Sequence, residues 1–130
     1  MSPKLFPVRA ALIGFGEVNT PMEFLTGRCH EAANALRKHG IEVLEAPIVR
    51  DDPDGKLASD AIAALQGHDF DALVVCVAGW IPSWAVVKTI EPFKHKPILL
   101  WGLSGWYENG HFVTTADQAG TTALRHPLRE

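Results

Sequence analysis

The 130-residue chain is long enough to bury a core without disulfide staples and short enough to form a single domain, 1–130. Apolar residues make up 47% and charged residues 21%, the balance of an ordinary globular protein. A net charge of -3 with no basic cluster argues against nucleic acid, and no apolar run approaches the ~20 residues that span a bilayer.

In chain order, "MSPKLFPVRA" lacks the apolar core of a secretory signal. "VRAALIGF", Val8 to Phe15, is an apolar run stopped by Gly14 and Gly16, the pattern of a strand buried on both faces. "TPME" then predicts a helix start, with Thr20 as N-cap, Pro21 at the first helical position and Glu23 completing a capping box. Leu25, Cys29, Ala32 and Leu36 recur at helical spacing, and Gly40 ends the helix. "IEVLEA" is a second strand, and "RDDPDGK", Arg50 to Lys56, is a polar turn-rich loop.

A short helix carrying Leu57, Ala61, Ala64 and Leu65 stops at Gly67. "DALVVCVAG" is continuous and valine-rich, so Ala72 to Ala78 is predicted to be the central strand. "PSWAVVKTIEP" is a helix with Pro82 near its start and Pro92 just beyond its end, and "KPILLW" is a fourth strand. His111 to Thr114 adds a short fifth, and Thr115 to Gln118 opens a last helix through about Arg125. Strands and helices alternate throughout. This order predicts a three-layer α/β/α sandwich around a parallel sheet of four or five strands, flavodoxin-like or Rossmann-like. Such sheets present their working loops at the carboxyl ends of the strands, here Gly14 to Asn19, Gly79 to Trp84 and Gly102 to Gly110.

"GFGEVN" has two glycines of a dinucleotide loop, but Asn19 stands where the third would be and Glu17 repels phosphate. Cys76 lacks the glycines of a nucleophile elbow and lies within an apolar run, so it reads as a buried small hydrophobe, as does Cys29. That placement is a poor one for a disulfide framework and points to a reduced, cytoplasmic protein. The six histidines show no metal-ligand spacing, and Asp51, Asp52 and Asp54 read as a solvated turn around Pro53 and Gly55. No catalytic dyad or triad assembles. Trp80 and Trp106, in glycine-flanked loops, are expected at least partly exposed at the carboxyl edge, available to a ligand or a second subunit. Glu17, Asn19, Glu108 and Asn109 can hydrogen-bond sugar hydroxyls, while indoles suit the C–H faces of sugars.

Three segments together, "IGFGEVNTP", "VVCVAGWIPSW" and "PILLWGLSGWYENGHFVTTADQAGTTALR", resemble the N-terminal domain of the L-fucose/L-arabinose isomerase family. The resemblance covers essentially the whole chain but only the first part of the family's length. It implies a flavodoxin-like domain of a metal-dependent aldose–ketose isomerase, whose divalent metal (manganese or similar) is held by carboxylates and a histidine in later domains. No catalytic residue or metal ligand is then expected in this chain, which alone would be inactive. The implied roles are homo-oligomer assembly and contact with the sugar substrate, carried by position to Trp80 and, by loop position alone, to Glu17, Asn19 and Trp106. The ending "LRHPLRE" follows a helix with no strand to pair, and reads as a cut. The alternatives are a stand-alone sugar- or small-ligand-binding module and, third, a nucleotide-binding domain.

Overall fold

A computed structural model describes residues 8–103 and 106–113. Strand β1 (Arg9–Phe15) leads to helix α1 (Met22–Lys38), then β2 (Glu42–Glu45), α2 (Lys56–Leu65), β3 (Ala72–Val77), α3 (Ser83–Ile90) and, after a short 3₁₀ turn at Glu91–Phe93, β4 (Ile98–Gly102). These four strands form one all-parallel sheet in the order β2-β1-β3-β4. The protein is therefore an α/β sandwich of the flavodoxin/Rossmann type, with β1 and β3 in the middle.

The apolar runs become the two inner strands because only there is a strand covered on both faces. From Ala10 to Phe15 every β1 residue is buried, and so is every β3 residue after Ala72. On one face Ile13, Phe15, Leu73, Val75 and Val77 pack with Ala58, Ala61 and Leu65 of α2 and Ala85, Val86 and Ile90 of α3. On the other, Ala10, Leu12, Val74 and Cys76 pack with Leu25, Cys29, Ala32 and Ala33 of α1. Each fully buried large aliphatic or aromatic side chain contributes about 1.5–3 kcal/mol relative to exposure, so these layers dominate the fold's stability.

The stop signal of α1 works as its sequence implies. Gly40 takes φ +83°, its N–H reaches the Arg37 carbonyl at 3.0 Å, and the Ile41 N–H reaches Leu36 at 3.3 Å. That is a Schellman motif, closed by Leu36 and Ile41 against the α1 core.

The start signal works differently. Pro21 is the N-cap, with no side-chain cap bond, so the predicted box between Thr20 and Glu23 does not form. Thr20 turns inward and is buried, while Glu23 is exposed. The missing cap is replaced by the Pro21 carbonyl, which accepts from Phe24 and Leu25.

His111–Val113 does not extend the parallel sheet. As β6 it pairs antiparallel with β5 (Trp106–Glu108), Glu108 opposite His111. Asn109 and Gly110 between them both have positive φ, 50° and 77°, the two-residue turn that Asn-Gly favours. The predicted helix from Thr115 to about Arg125 lies outside the described residues.

Candidate functional site

In an open parallel sheet, ligands collect outside the carboxyl ends of the strands, where neighbouring strands send their chains to opposite faces. Here that point lies between β1, which runs into α1 on one face, and β3, which runs into α3 on the other. Phe15 stands opposite Val77 in register, and the Ala78 N–H reaches the Phe15 carbonyl at 2.9 Å. The loops Gly16–Pro21 and Ala78–Pro82 therefore leave the sheet side by side.

Two glycines let the first loop start there. A Cβ on Gly16 would meet Leu25 Cδ2 at 2.4 Å, and one on Gly14 would meet Cys29 Sγ at 2.3 Å. They bring α1 close against β1, a packing role rather than the cradling of a phosphate.

The loop is then clamped from beside it. One Arg50 guanidinium nitrogen donates to the Val18 and Thr20 carbonyls, the second at 2.8 Å, and Asp51 Oδ1 accepts from the Val18 N–H at 2.9 Å. The Gly16 N–H bonds the Val49 carbonyl at 3.2 Å. Asp52 Oδ2 caps α2, accepting from the backbone of Lys56 at 2.8 Å and of Leu57 at 3.3 Å. Of the three aspartates, then, only Asp54 fits the solvated-turn reading; Asp51 and Asp52 hold two loops in shape. Arg50 was missed from sequence because a lone arginine after a strand carries no signal until its partner carbonyls come near.

With its backbone tied down, the first loop presents Glu17 half-buried and Asn19 exposed, and neither side chain hydrogen-bonds another described residue. Across the crevice Trp80 follows buried Gly79 and is 39% exposed, while its neighbour Ile81 is buried in the α2/α3 layer. Val18 and Met22 are also exposed on the α1 side, an apolar rim that the sequence did not single out. The structure thus brings Glu17, Asn19 and Trp80 to one edge. The backbone of Trp106 belongs to β5, and its side chain lies outside the described residues. Trp84 is half exposed on α3, and Trp101 is partly buried against the α1 layer.

Chemically, this edge offers a carboxylate, an amide and an indole: hydroxyl acceptors and donors beside an apolar plate. Glu17 and the acidic run after Arg50 disfavour an anionic ligand. Cys76 is fully buried below the edge. Interaction with Cys29 first, then burial and the charge of Cys29, hold its thiol well above the ordinary thiol range, which disfavours a catalytic nucleophile while the fold is packed. Among the described residues, no group of three or more His, Cys, Asp or Glu comes together to hold a metal, and no helix is long and apolar enough to cross a membrane. Comparison with protein-family models, with curated proteins and with solved structures returned no match.

Proposed function

We propose that this chain is the N-terminal, flavodoxin-like domain of a metal-dependent aldose–ketose isomerase of the L-fucose/L-arabinose type. In this reading it supplies oligomer contacts and part of the sugar site, but not the metal ligands. On the same reading the metal and the proton-moving groups belong to later domains, and no step of the chemistry runs through the residues of this chain. Their part is to bind and orient: Trp80 stacks on a C–H face of the sugar, while Glu17 and Asn19 bond its hydroxyls.

The observation that carries the reading is the exposed indole of Trp80 on the loop after β3, which leaves the sheet beside the loop after β1 that carries Glu17 and Asn19. A neutral polyol matches such a pairing of apolar plate and uncharged or acidic hydrogen-bonding groups better than a phosphate does. The exposed Trp84 and Val87, three residues apart on α3, supply a second apolar surface suited to a neighbouring subunit.

The test is the complete reading frame and its product. The frame should encode further Glu, Asp and His ligands, and the full protein should interconvert L-fucose or L-arabinose with its ketose only when a divalent metal is present. Trp80→Ala should then lower kcat/KM for the sugar roughly tenfold or more, with metal affinity nearly unchanged. A frame without such ligands would leave a stand-alone sugar-binding module, recognisable by sugar-dependent protection of Trp80 in the chain itself.

A further inference from the structure

In the fold the two cysteines serve as small core residues and the proposed site does not use them, yet they lie close together inside the protein. Cys29 lies midway along α1 and Cys76 near the end of β3, and both are buried. Gly14 of β1 is the register neighbour of Cys76. Adjacent residues of paired parallel strands share a face, so the Cys76 side chain rises beside the gap that Gly14 leaves. Into that gap comes Cys29: its sulfur lies only 2.3 Å from where a Cβ on residue 14 would be. Both cysteines belong to the same buried cluster between α1 and the sheet. Two elements distant in sequence thus bring their cysteines together where a glycine leaves room for the Cys29 sulfur.

We infer that Cys29 and Cys76 are a site of intramolecular disulfide formation, a staple between α1 and β3 that closes when the protein meets a peroxide. One thiolate attacks hydrogen peroxide, the O–O bond breaks, and a sulfenic acid and, after proton uptake, one water result. The second sulfur then attacks the sulfenic sulfur, the S–O bond breaks, and a second water leaves. The two thiols lose two protons and two electrons to the peroxide, which becomes two waters. Closing the pair means bringing the two sulfurs to an S–S distance of about 2.05 Å. No side chain at position 14 stands in the way.

Burial of both sulfurs keeps peroxide from them in the packed fold, so oxidation proceeds through transient lifting of α1 and follows how often that occurs. The consequence reaches the crevice. The amino end of α1 carries the loop with Glu17 and Asn19, and β3 runs directly into the loop with Trp80. A staple between these elements ties the two walls together, whatever ligand the crevice takes.

The whole chain is treated with hydrogen peroxide at denaturant concentrations below its unfolding transition, alkylated under denaturing conditions without reductant, and mapped as peptides by mass spectrometry. The expected product is a monomer with a Cys29–Cys76 linked peptide pair lacking two hydrogens, reversed by dithiothreitol, and melting several degrees higher than the reduced protein. In Cys29→Ala the linked pair and the rise in Tm are both lost while Cys76 stays alkylatable. Free alkylatable thiols after peroxide, oxygen added to either cysteine without a link, or a disulfide between two chains would each overturn the assignment.

Discussion

The two faces of the sheet are built by different means. The α2/α3 face is a thick layer: two helices cover it, and Phe15, Ile13, Leu73, Val75, Val77 and Ile81 are almost completely buried. The α1 face is thin. Among the described residues one helix covers it, at close range, through glycines 14 and 16 and the small residues Ala10, Ala32, Ala33, Cys29, Cys76 and Ala78. Beyond the reach of α1, the same face leaves Leu99 of β4 51% exposed and Trp101 only partly covered. The first face gains stability from volume, the second from proximity. Substitutions that remove atoms should hurt the thick face most, and substitutions that add atoms should hurt the thin one.

The largest effect is expected from Phe15→Ala, which empties the thick layer at a position 0% exposed and should cost about 3–5 kcal/mol in denaturant unfolding. A cost below ~1.5 kcal/mol would mean that this face collapses readily around a void, and the contrast between faces would lose its basis. On the thin face, Gly14→Ala should cost about 1–3 kcal/mol although alanine ordinarily suits a strand better than glycine. Combining it with Cys29→Ala should recover part of that loss, because the sulfur at 2.3 Å is removed and the added Cβ is left against the end of the Ile48 side chain at 2.7 Å and the residue 29 Cβ at 3.2 Å. Absence of any recovery would show that the clash is not with Cys29.

Arg50→Ala tests whether the crevice wall depends on its clamp. Loss of the charged donor to the Val18 and Thr20 carbonyls should cost about 1–2 kcal/mol, discounted for partial solvent access, and speed amide exchange between Glu17 and Thr20 more than elsewhere. The thin face also carries a pH signature. Cys76 binds its proton more tightly folded than unfolded, so above the ordinary thiol value of 9.0 the unfolded chain releases protons that the native state retains. Stability should be unaffected by this group below that pH and fall above it by about 1.4 kcal/mol per pH unit, a slope that Cys76→Ala removes. The smallest effect belongs to the uncovered corner: Leu99→Ala should change stability by no more than about 0.5 kcal/mol. A cost near 2 kcal/mol would reveal that something covers Leu99 in solution.

Much of the frame was legible before any coordinates. The valine-rich run at Ala72–Val77 pointed to the centre of the sheet because a strand covered on both faces has no use for alternating polar residues. Trp80 was assigned to the carboxyl edge, partly exposed, from the glycine and strand before it, and it lies there. Of the other candidates, Glu17 and Asn19 share that edge, whereas the indole of Trp106 lies outside the described residues. The capping box expected of Thr20 and Glu23 does not form, since a local motif forms only when its side chains have no better place. Thr20 found one in the core.

What the amino-acid order determined by itself is whatever depends on neighbours in sequence: the alternation of strands and helices, the Gly40 stop, the Asn109-Gly110 turn and the loops on which the candidate residues ride. What only the tertiary structure decided depends on approach between distant segments. Gly14 and Gly16 read as the end of a strand, yet they are the surface on which α1 lands. Arg50 gained a role only when the loop after β1 came within reach of its guanidinium, and Cys29 found Cys76 only after α1 had packed across two strands. Hydrophobic periodicity is written along the chain because burial on a face repeats with the pitch of the element. A clamp or a thiol pair has no such period, so it exists only once the layers have met.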